Sequence, residues 1–293
     1  MRKFLAIAEA TTLEILSEPL SLLLCLVAML LSTLAPTFHY HQFGEPTRMA
    51  RDAGFSSLLV FGIVFAVVGT VRTFRRELEG GTATVALAHP VSRTSFFLAK
   101  TFGAFVAYTL FAVTVTLNSY AVVNGAAIGG VMAKHDCDIA RLHGPSVALA
   151  MATVIVPLVL AAALNRWRRS RFTLTAMLTL PVLSALMLAY RPDFALWGRL
   201  LPVSVLVALP AVVFLSATAA FAARWRTNLV ALGVGLLAVA ALPALGNYYL
   251  ADALSRGGSL PAGYFWAAAG LLVPATVGFL VLGAHLFAGR DVA

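Results

Sequence analysis

The amino-acid sequence predicts an all-α bundle of transmembrane helices, and three observations support this fold class. Hydrophobic residues make up 60% of the 293 residues and charged residues only 11%, whereas soluble domains carry about 25% charged residues. Apolar windows long enough to cross a bilayer recur along the chain without any Asp, Glu, Lys or Arg. Lys and Arg are concentrated in alternate connectors between these windows. We therefore expect one polytopic membrane domain over residues 1–293.

The first element is a predicted amphipathic helix at the membrane interface, over residues 1–19. Its apolar and acidic residues separate at mostly helical spacing, with Phe4, Ile7, Ala8, Leu13 and Leu16 in one set and Glu9, Glu14 and Glu18 in the other. Pro19 suits a break before the first span. No small-residue cleavage site follows the first apolar run closely, so we expect that run to remain as an anchor.

Eight charge-free windows predict about eight spans. A charge at the centre of a span costs about 2.5–3.5 kcal/mol, whereas each Leu contributes only about 0.3–0.6 kcal/mol. All 33 charged residues, 21 basic and 12 acidic, fall outside the windows, which is hard to obtain by accident. The windows are 20–38, 55–71, 102–123, 147–164, 172–190, 200–223, 229–245 and 265–287.

The connectors predict the orientation. With a cytoplasmic N-terminus, 14 of the 21 Lys and Arg residues lie on the inner side and 7 on the outer side, while the acids divide 6 and 6. An even number of spans then places both termini in the cytoplasm. Residues 124–146 and 246–264 are the expected external loops. Because the net charge of +9 is spread over these short connectors, it does not indicate a nucleic-acid partner.

The first inner loop, residues 72–100, is the most polar stretch of the inner side. Gly80 and Gly81 are expected to break the chain after a charged turn. Thr82 can cap a new helix, and Pro90 would end it. The sequence thus predicts a short helix on the cytoplasmic face, flanked by charges of both signs. The plainer alternative is a solvated connector whose basic residues only set the orientation.

This loop resembles that of the ABC-2 family of ABC transporter permeases, which reads E-x-E-x-G-T, a short apolar stretch, P-x-S-R and a Lys opening the third span. The chain end, 283–291, and the span end with its basic turn, 215–228, are also similar to the family, with lower specificity. The family core has six spans, so six to eight are expected if the 172–223 region adds a pair or one window is re-entrant or interfacial. The matching residues are Glu77, Glu79, Gly81, Thr82, Pro90, Ser92, Arg93 and Lys100.

The resemblance implies a membrane-spanning permease of an ATP-driven exporter in the bacterial cytoplasmic (inner) membrane. The loop would dock into a cleft on a separate ABC ATPase subunit, with Glu77 and Glu79 touching that partner or bracing the loop. Arg93 would pair with an acid or a backbone carbonyl of the partner. ATP and Mg would be bound by the ATPase, so no cofactor and no catalytic residue is expected on this chain. A second copy, or a sister permease, would complete the assembly.

Other classes of function find less support. The sequence contains no G-x-x-x-x-G-K-[ST], H-E-x-x-H or G-x-S-x-G motif. The main alternative is a polytopic membrane enzyme or assembly scaffold that uses no ATP. A secondary transporter would ordinarily carry a carboxylate within a span, and the windows contain none.

Two weaker patterns are candidate sites. Thr109, Thr116 and Tyr120 share one face of the third predicted span and are candidates for lining a translocation path, although such hydroxyls more often bond their own backbone or a neighbouring helix. Potential metal ligands occur at His39 and His41 and in the loop residues 135–143, but their spacing is not that of a ligand set, so no metal site is expected.

Overall fold

A computed structural model describes residues 2–35, 46–79, 92–133, 144–190, 193–225, 229–230, 233–237, 241 and 261–289. These residues form helices and contain no strand. The long helices, in chain order, are α1 (Arg2–Ser17), α2 (Pro19–Leu34), α3 (Pro46–Glu79), α4 (Arg93–Ala133), α5 (Gly144–Arg168), α6 (Phe172–Tyr190), α7 (Phe194–Ala222) and α8 (Ala262–Ala288). The predicted all-α class is confirmed.

Six of these helices, α3 to α8, are long and apolar enough to cross a membrane, and the bent pair α1 and α2 raises the number to seven. All six coincide with predicted windows, so the chain is a multi-pass membrane protein. The described part of the chain contains six to seven such helices, which is within the predicted range of six to eight and below the figure of about eight. The window 229–245 lies largely outside the described residues.

The predicted break at Pro19 is confirmed. The axes of α1 and α2 differ by 64°, and Pro19 is the first residue of α2. Proline is tolerated there because the first amide of a helix has no intrahelical acceptor. One side of α1 is buried, through Ala8, Thr11, Ile15 and Leu16. Only Ala8 and Leu16 of the predicted apolar set are on this buried side, and Leu13 is exposed, so the position of α1 at a membrane interface stays a prediction.

Helices α3 and α4 extend beyond their predicted spans. With 34 and 41 residues they are about 51 and 62 Å long at ~1.5 Å per residue, which exceeds the ~30 Å of hydrocarbon. Both flanks of the expected loop 72–100 are helical, since α3 ends at Glu79 and α4 begins at Arg93. Likewise the first ten residues of the expected external loop 124–146 continue α4. The charge-free windows therefore predict the part of each helix that lies in lipid, and they do not predict the full length of the helix.

Helix α4 occupies the centre of the bundle and packs against each of the other seven long helices. Its core is aromatic: the Phe65 and Phe111 rings stack at 4.6 Å, and Tyr108 stacks on Phe111 at 6.4 Å. The Tyr108 hydroxyl donates to the Ala208 carbonyl at 2.9 Å. This bond satisfies the hydroxyl and ties α4 to α7 inside the apolar core.

The helix ends sort onto two sides as the charge pattern predicts. Contacts at one end of the bundle join α1 and the residue after it to the end of α3 and the start of α4, through the ion pairs of Glu14 and Glu18. The Thr173 hydroxyl, at the start of α6, donates to the Ser17 carbonyl at 2.6 Å. The end of α8 meets α4 and α7 at Gly283. All of these ends belong to connectors assigned to one side from the sequence, and we call this side the base of the bundle.

Candidate site at the base of the bundle

The residues singled out in the first inner loop fall into three groups. Glu77 and Glu79 lie in the last turn of α3. Gly81, Thr82 and Pro90, and with them the expected short helix, lie outside the described residues. Ser92, Arg93 and Lys100 belong to the first turns of α4 and its cap, and their surroundings are described below.

Ser92 caps α4. Its hydroxyl oxygen accepts from the Ser95 amide at 3.2 Å, and its carbonyl accepts from the Phe96 amide at 3.0 Å. This is the N-cap arrangement, in which a serine satisfies one of the first four helical amides. Ser92 therefore determines where the loop ends and α4 begins.

Arg93, the first residue of α4, reaches the end of another helix. Its Nη1 donates to the Ala288 carbonyl at 3.4 Å, and Ala288 is the last residue of α8. A cation at this position also faces the negative end of the α8 dipole. This contact lies within the chain, and the pairing of Arg93 with a partner subunit stays a prediction.

Glu14 of α1 and Glu18, the residue between α1 and α2, meet three cations of α3 and α4 in the most extensive charged contact of the described structure, which we call the basal cluster (Glu14, Glu18, Arg72, Arg76, Lys100). Arg76 bridges both acids, with Nη1 3.2 Å from a Glu14 oxygen and Nη2 2.8 Å from a Glu18 oxygen. Arg72 Nη1 lies 3.0 Å from Glu18, and Lys100 Nζ lies 3.8 Å from Glu14. Each carboxylate therefore meets two cations.

Exposure within the basal cluster is graded. The side chain of Lys100 is 5% exposed and that of Glu18 16%, whereas that of Arg76 is 62% exposed. The Lys100 ammonium also lies 5.9 Å from the centre of the Phe96 ring, within range of a cation–π interaction. Exposed ion pairs stabilise a fold by only about 0–1 kcal/mol because water and salt screen them. The contact between the buried Lys100 and Glu14 therefore contributes more to the stability of the fold than the exposed contacts of Arg76.

An aromatic cluster lies beside the ion pairs and joins the end of α3, the start of α4 and the end of α8. The Phe97 ring lies 5.7 Å from Phe74 and 5.9 Å from Phe287, and Phe96 stacks on Phe287 at 6.0 Å. These four rings are buried. Gly283 permits this approach, because a Cβ there would collide with the Phe97 ring and lie 2.8 Å from the Ala220 Cα.

Close backbone contact holds α1 against α4. A Cβ at Gly103 would lie 2.5 Å from the Ala8 carbonyl oxygen and 2.7 Å from the Thr11 Cβ, so a larger residue would separate the helices. The Thr12 hydroxyl is shared between the Gly103 carbonyl at 3.0 Å and the Ala8 carbonyl at 2.9 Å. Helix α1 is thus docked on α4 by packing as well as by charge.

The three candidates for a translocation path have different surroundings. Thr109 is exposed, and its hydroxyl donates to the Phe105 carbonyl of its own helix at 2.9 Å. Thr116 is half-buried. Tyr120 is buried, with its hydroxyl 2.8 Å from the Ser204 hydroxyl of α7. These positions do not bring the three side chains into one lined passage within the described structure.

A buried polar network around Asn118, away from the base, was not predicted from the sequence. The Asn118 amide nitrogen lies 3.0 Å from the Ser32 hydroxyl, 3.2 Å from that of Thr33 and 3.3 Å from the Met29 carbonyl. The Asn118 oxygen accepts from the Thr153 hydroxyl at 3.1 Å. Helices α2, α4 and α5 are therefore joined by hydrogen bonds at one depth, where an unpaired amide would be costly.

The potential metal ligands His39, His41 and those within 135–143 lie outside the described residues. The part of the chain that the structure covers contains no group of three His, Cys, Asp or Glu side chains placed to hold a metal ion. The absence of a metal site stays a prediction.

The basal cluster was also not predicted, although its spacing was present in the sequence. Glu14 and Glu18 are four residues apart, as are Arg72 and Arg76. Arg72 and Arg76 share a face of α3, while Glu14 lies in the last turn of α1 and Glu18 directly follows that helix. Only the three-dimensional arrangement identifies which acidic pair meets which basic pair.

The model of the family described as "ABC-2 family transporter protein" matches residues 17–182 of the chain. This range is more than half of the 293 residues, and it includes α2 to α5, most of α6, the first inner loop and four of the five basal-cluster residues. No curated protein and no solved structure matches the chain.

Proposed function

Because the chain belongs to the ABC-2 family of transporter proteins, we propose that it is the membrane-spanning permease of an exporter whose ATP is hydrolysed on a separate ABC ATPase subunit. The observation that carries this proposal is the first inner loop. The residues that resemble the family motif include the end of α3 and the start of α4, and the basal cluster joins both of these helix ends to α1.

This arrangement suits a loop that transmits force. A loop between two rigidly held helices passes a displacement to both of them, whereas a loop between frayed ends would absorb it. Ser92 caps one flank and Arg72 and Arg76 anchor the other. In our proposal, ATP-driven closure of the ATPase pushes on residues 80–91. Helices α3 and α4 then shift together with α1, and the bundle moves from one arrangement to another.

We further propose that two such permeases, either two copies of this chain or this chain and a sister subunit, assemble with two ATPase subunits. ATP and Mg would be held entirely by the ATPase. The base of the bundle would face the cytoplasm of a bacterial cell, in agreement with its excess of Lys and Arg. Both termini would lie on that side.

The test is a double substitution, Glu77→Ala with Glu79→Ala, in the complex reconstituted with the ATPase encoded beside it. We expect normal membrane insertion, together with loss of ATPase co-purification or of permease-dependent ATP hydrolysis. Glu9→Ala, which removes an exposed acid of α1, is the matched control and should behave as wild type. Co-purification and hydrolysis at wild-type levels in the double variant would contradict the proposal. The absence of any neighbouring ATPase would favour a membrane scaffold instead.

A further inference from the structure

An apolar cavity of about 410 Å³ opens on the side of the bundle, between α4, α7 and α8 and under the first turn of α1. It is distinct from the basal cluster and from the candidates for a translocation path. Its volume falls within the range of ~300–1,000 Å³ that is usual for ligand sites. Rings of Phe4, Phe102 and Phe105 line one wall, and Leu215 and Leu280 line another.

The lining offers no free hydrogen-bond donor to a polar ligand. Three hydroxyls line the cavity, and each donates to a carbonyl of its own helix. Thr101 donates to Phe97, Ser216 to Val213 and Thr276 to Leu272, at 2.8–3.0 Å. The cavity therefore presents methyl, methylene and ring surface, which suits a hydrocarbon chain.

The cavity lies at the depth of the lipid leaflet on the basal side. Its α7 residues lie about 6–10 residues before the end of that helix at Ala222, and its α8 residues about 8–12 residues before Ala288. At ~1.5 Å per residue, the cavity is about 9–18 Å from the basal ends. Half of a ~30 Å hydrocarbon core is ~15 Å. The opening thus faces acyl chains, not headgroups.

Two cations are adjacent in the chain to one residue of the cavity lining. Phe4 is half-buried in that lining, with its ring 6.0 Å from that of Phe102, and Arg2 and Lys3 directly precede it. Both are exposed and make no ion pair with the described residues. The nearest acid along α1 is Glu9, more than one turn further on. Cations in the first turn of α1, next to a residue that lines an acyl-chain cavity, are complementary to an anionic lipid.

We propose that this cavity binds one acyl chain of an anionic phospholipid of the basal leaflet, with its phosphate at Arg2 and Lys3. The site concerns α1, α4, α7 and α8 and does not depend on ATP or on a partner subunit. A bound lipid would fill the space between α4 and α8 and fasten the start of α1 to the bilayer surface.

The experiment uses the purified full chain in lipid nanodiscs that contain phosphatidylglycerol with a photoactivatable diazirine in its acyl chain. After irradiation, mass spectrometry locates the cross-linked residues. We expect them in 98–105, 212–216 and 276–280. Phosphatidylcholine with the same labelled chain should cross-link about tenfold less, because two cations each favour an anionic headgroup. Cross-links spread evenly over the exposed apolar surface, or equal yields from the two lipids, would overturn the proposal.

Two pairs of variants test where the lipid binds, one at the cavity and one at the cations. Leu280→Trp fills the cavity and should lower the yield about tenfold, as expected when roughly two methylene groups lose their burial. Val281→Trp makes a similar change on an exposed neighbour and should leave the yield unchanged. Arg2→Gln with Lys3→Gln should abolish the preference for phosphatidylglycerol, whereas Arg166→Gln with Arg168→Gln should retain it. Equal cross-linking yields in Leu280→Trp and Val281→Trp, or an equal lipid preference in the two double variants, would contradict the site. If a variant does not fold, the wild-type cross-link map is the test.

Discussion

At the scale of the residue, the basal cluster depends most on the contact between Glu14 and Lys100. The Lys100 side chain is 5% exposed, and its ammonium lies 3.8 Å from the Glu14 carboxylate. A buried ammonium is tolerated when anions and rings replace the water that it loses. Removing the carboxylate therefore costs more than the contact itself contributes, because the charge left behind stays buried.

We predict that Glu14→Gln destabilises the protein by about 1–3 kcal/mol, measured as a lower midpoint of thermal unfolding in detergent. Glu9→Gln changes an exposed acid of the same helix and should stay within about 0.5 kcal/mol of wild type. Adding Lys100→Met to Glu14→Gln should recover part of the loss, because the unpaired charge is removed with its partner. Equal midpoints for Glu14→Gln and Glu9→Gln would show that the cluster contributes nothing to stability.

At the scale of the element, α4 connects the first inner loop to the centre of the bundle, and its first turn is held by Ser92. The hydroxyl of that residue accepts from the Ser95 amide. Ser92 also belongs to the family motif, so its cap and any contact with a partner have to be separated by experiment.

We predict that Ser92→Ala costs about 1 kcal/mol and speeds hydrogen exchange of the Ser95 amide. Ser92→Asp should restore slow exchange, because aspartate caps as well as serine. Thr94→Ala, an exposed substitution in the same turn, is the control and should leave the exchange of Ser95 unchanged. Unchanged exchange in Ser92→Ala would rule out the cap. Slow exchange in Ser92→Asp combined with lost ATPase coupling would assign Ser92 a contact with the partner as well.

At the scale of the whole molecule, the sidedness of the bundle can be tested with the native cysteines. Cys25 is fully buried in α2, and Cys137, outside the described residues, lies in an expected external loop. We predict that a membrane-impermeant maleimide labels intact cells at Cys137 and that Cys137→Ser abolishes the labelling. In the Cys137→Ser background, Arg166→Cys at the base should be labelled only after the membrane is permeabilised. Labelling of Cys137 only after permeabilisation would reverse the proposed orientation.

Much of this architecture could be predicted from the sequence because a charged side chain is costly inside the hydrocarbon core, so charges are excluded from the spans. Six of the eight windows and the sorting of the described helix ends follow from that exclusion and are confirmed, and the break at Pro19, predicted from the backbone restrictions of proline, is confirmed as well. Helix lengths could not be predicted in this way, since α3 and α4 continue into water where charges are tolerated. The Asn118 network and the basal cluster depend on which helices cross, and a one-dimensional pattern does not contain that information.

The docking of α1 has a consequence for biogenesis. This helix is synthesised before every element that holds it, since its partners include Arg76, Lys100 and Gly103, and finally Thr173. Until α3 and α4 have been synthesised, Glu14 lacks the two cations that it meets in the folded structure. Helix α1 therefore settles late although it emerges early, and its docking is complete only after α6 has joined the bundle.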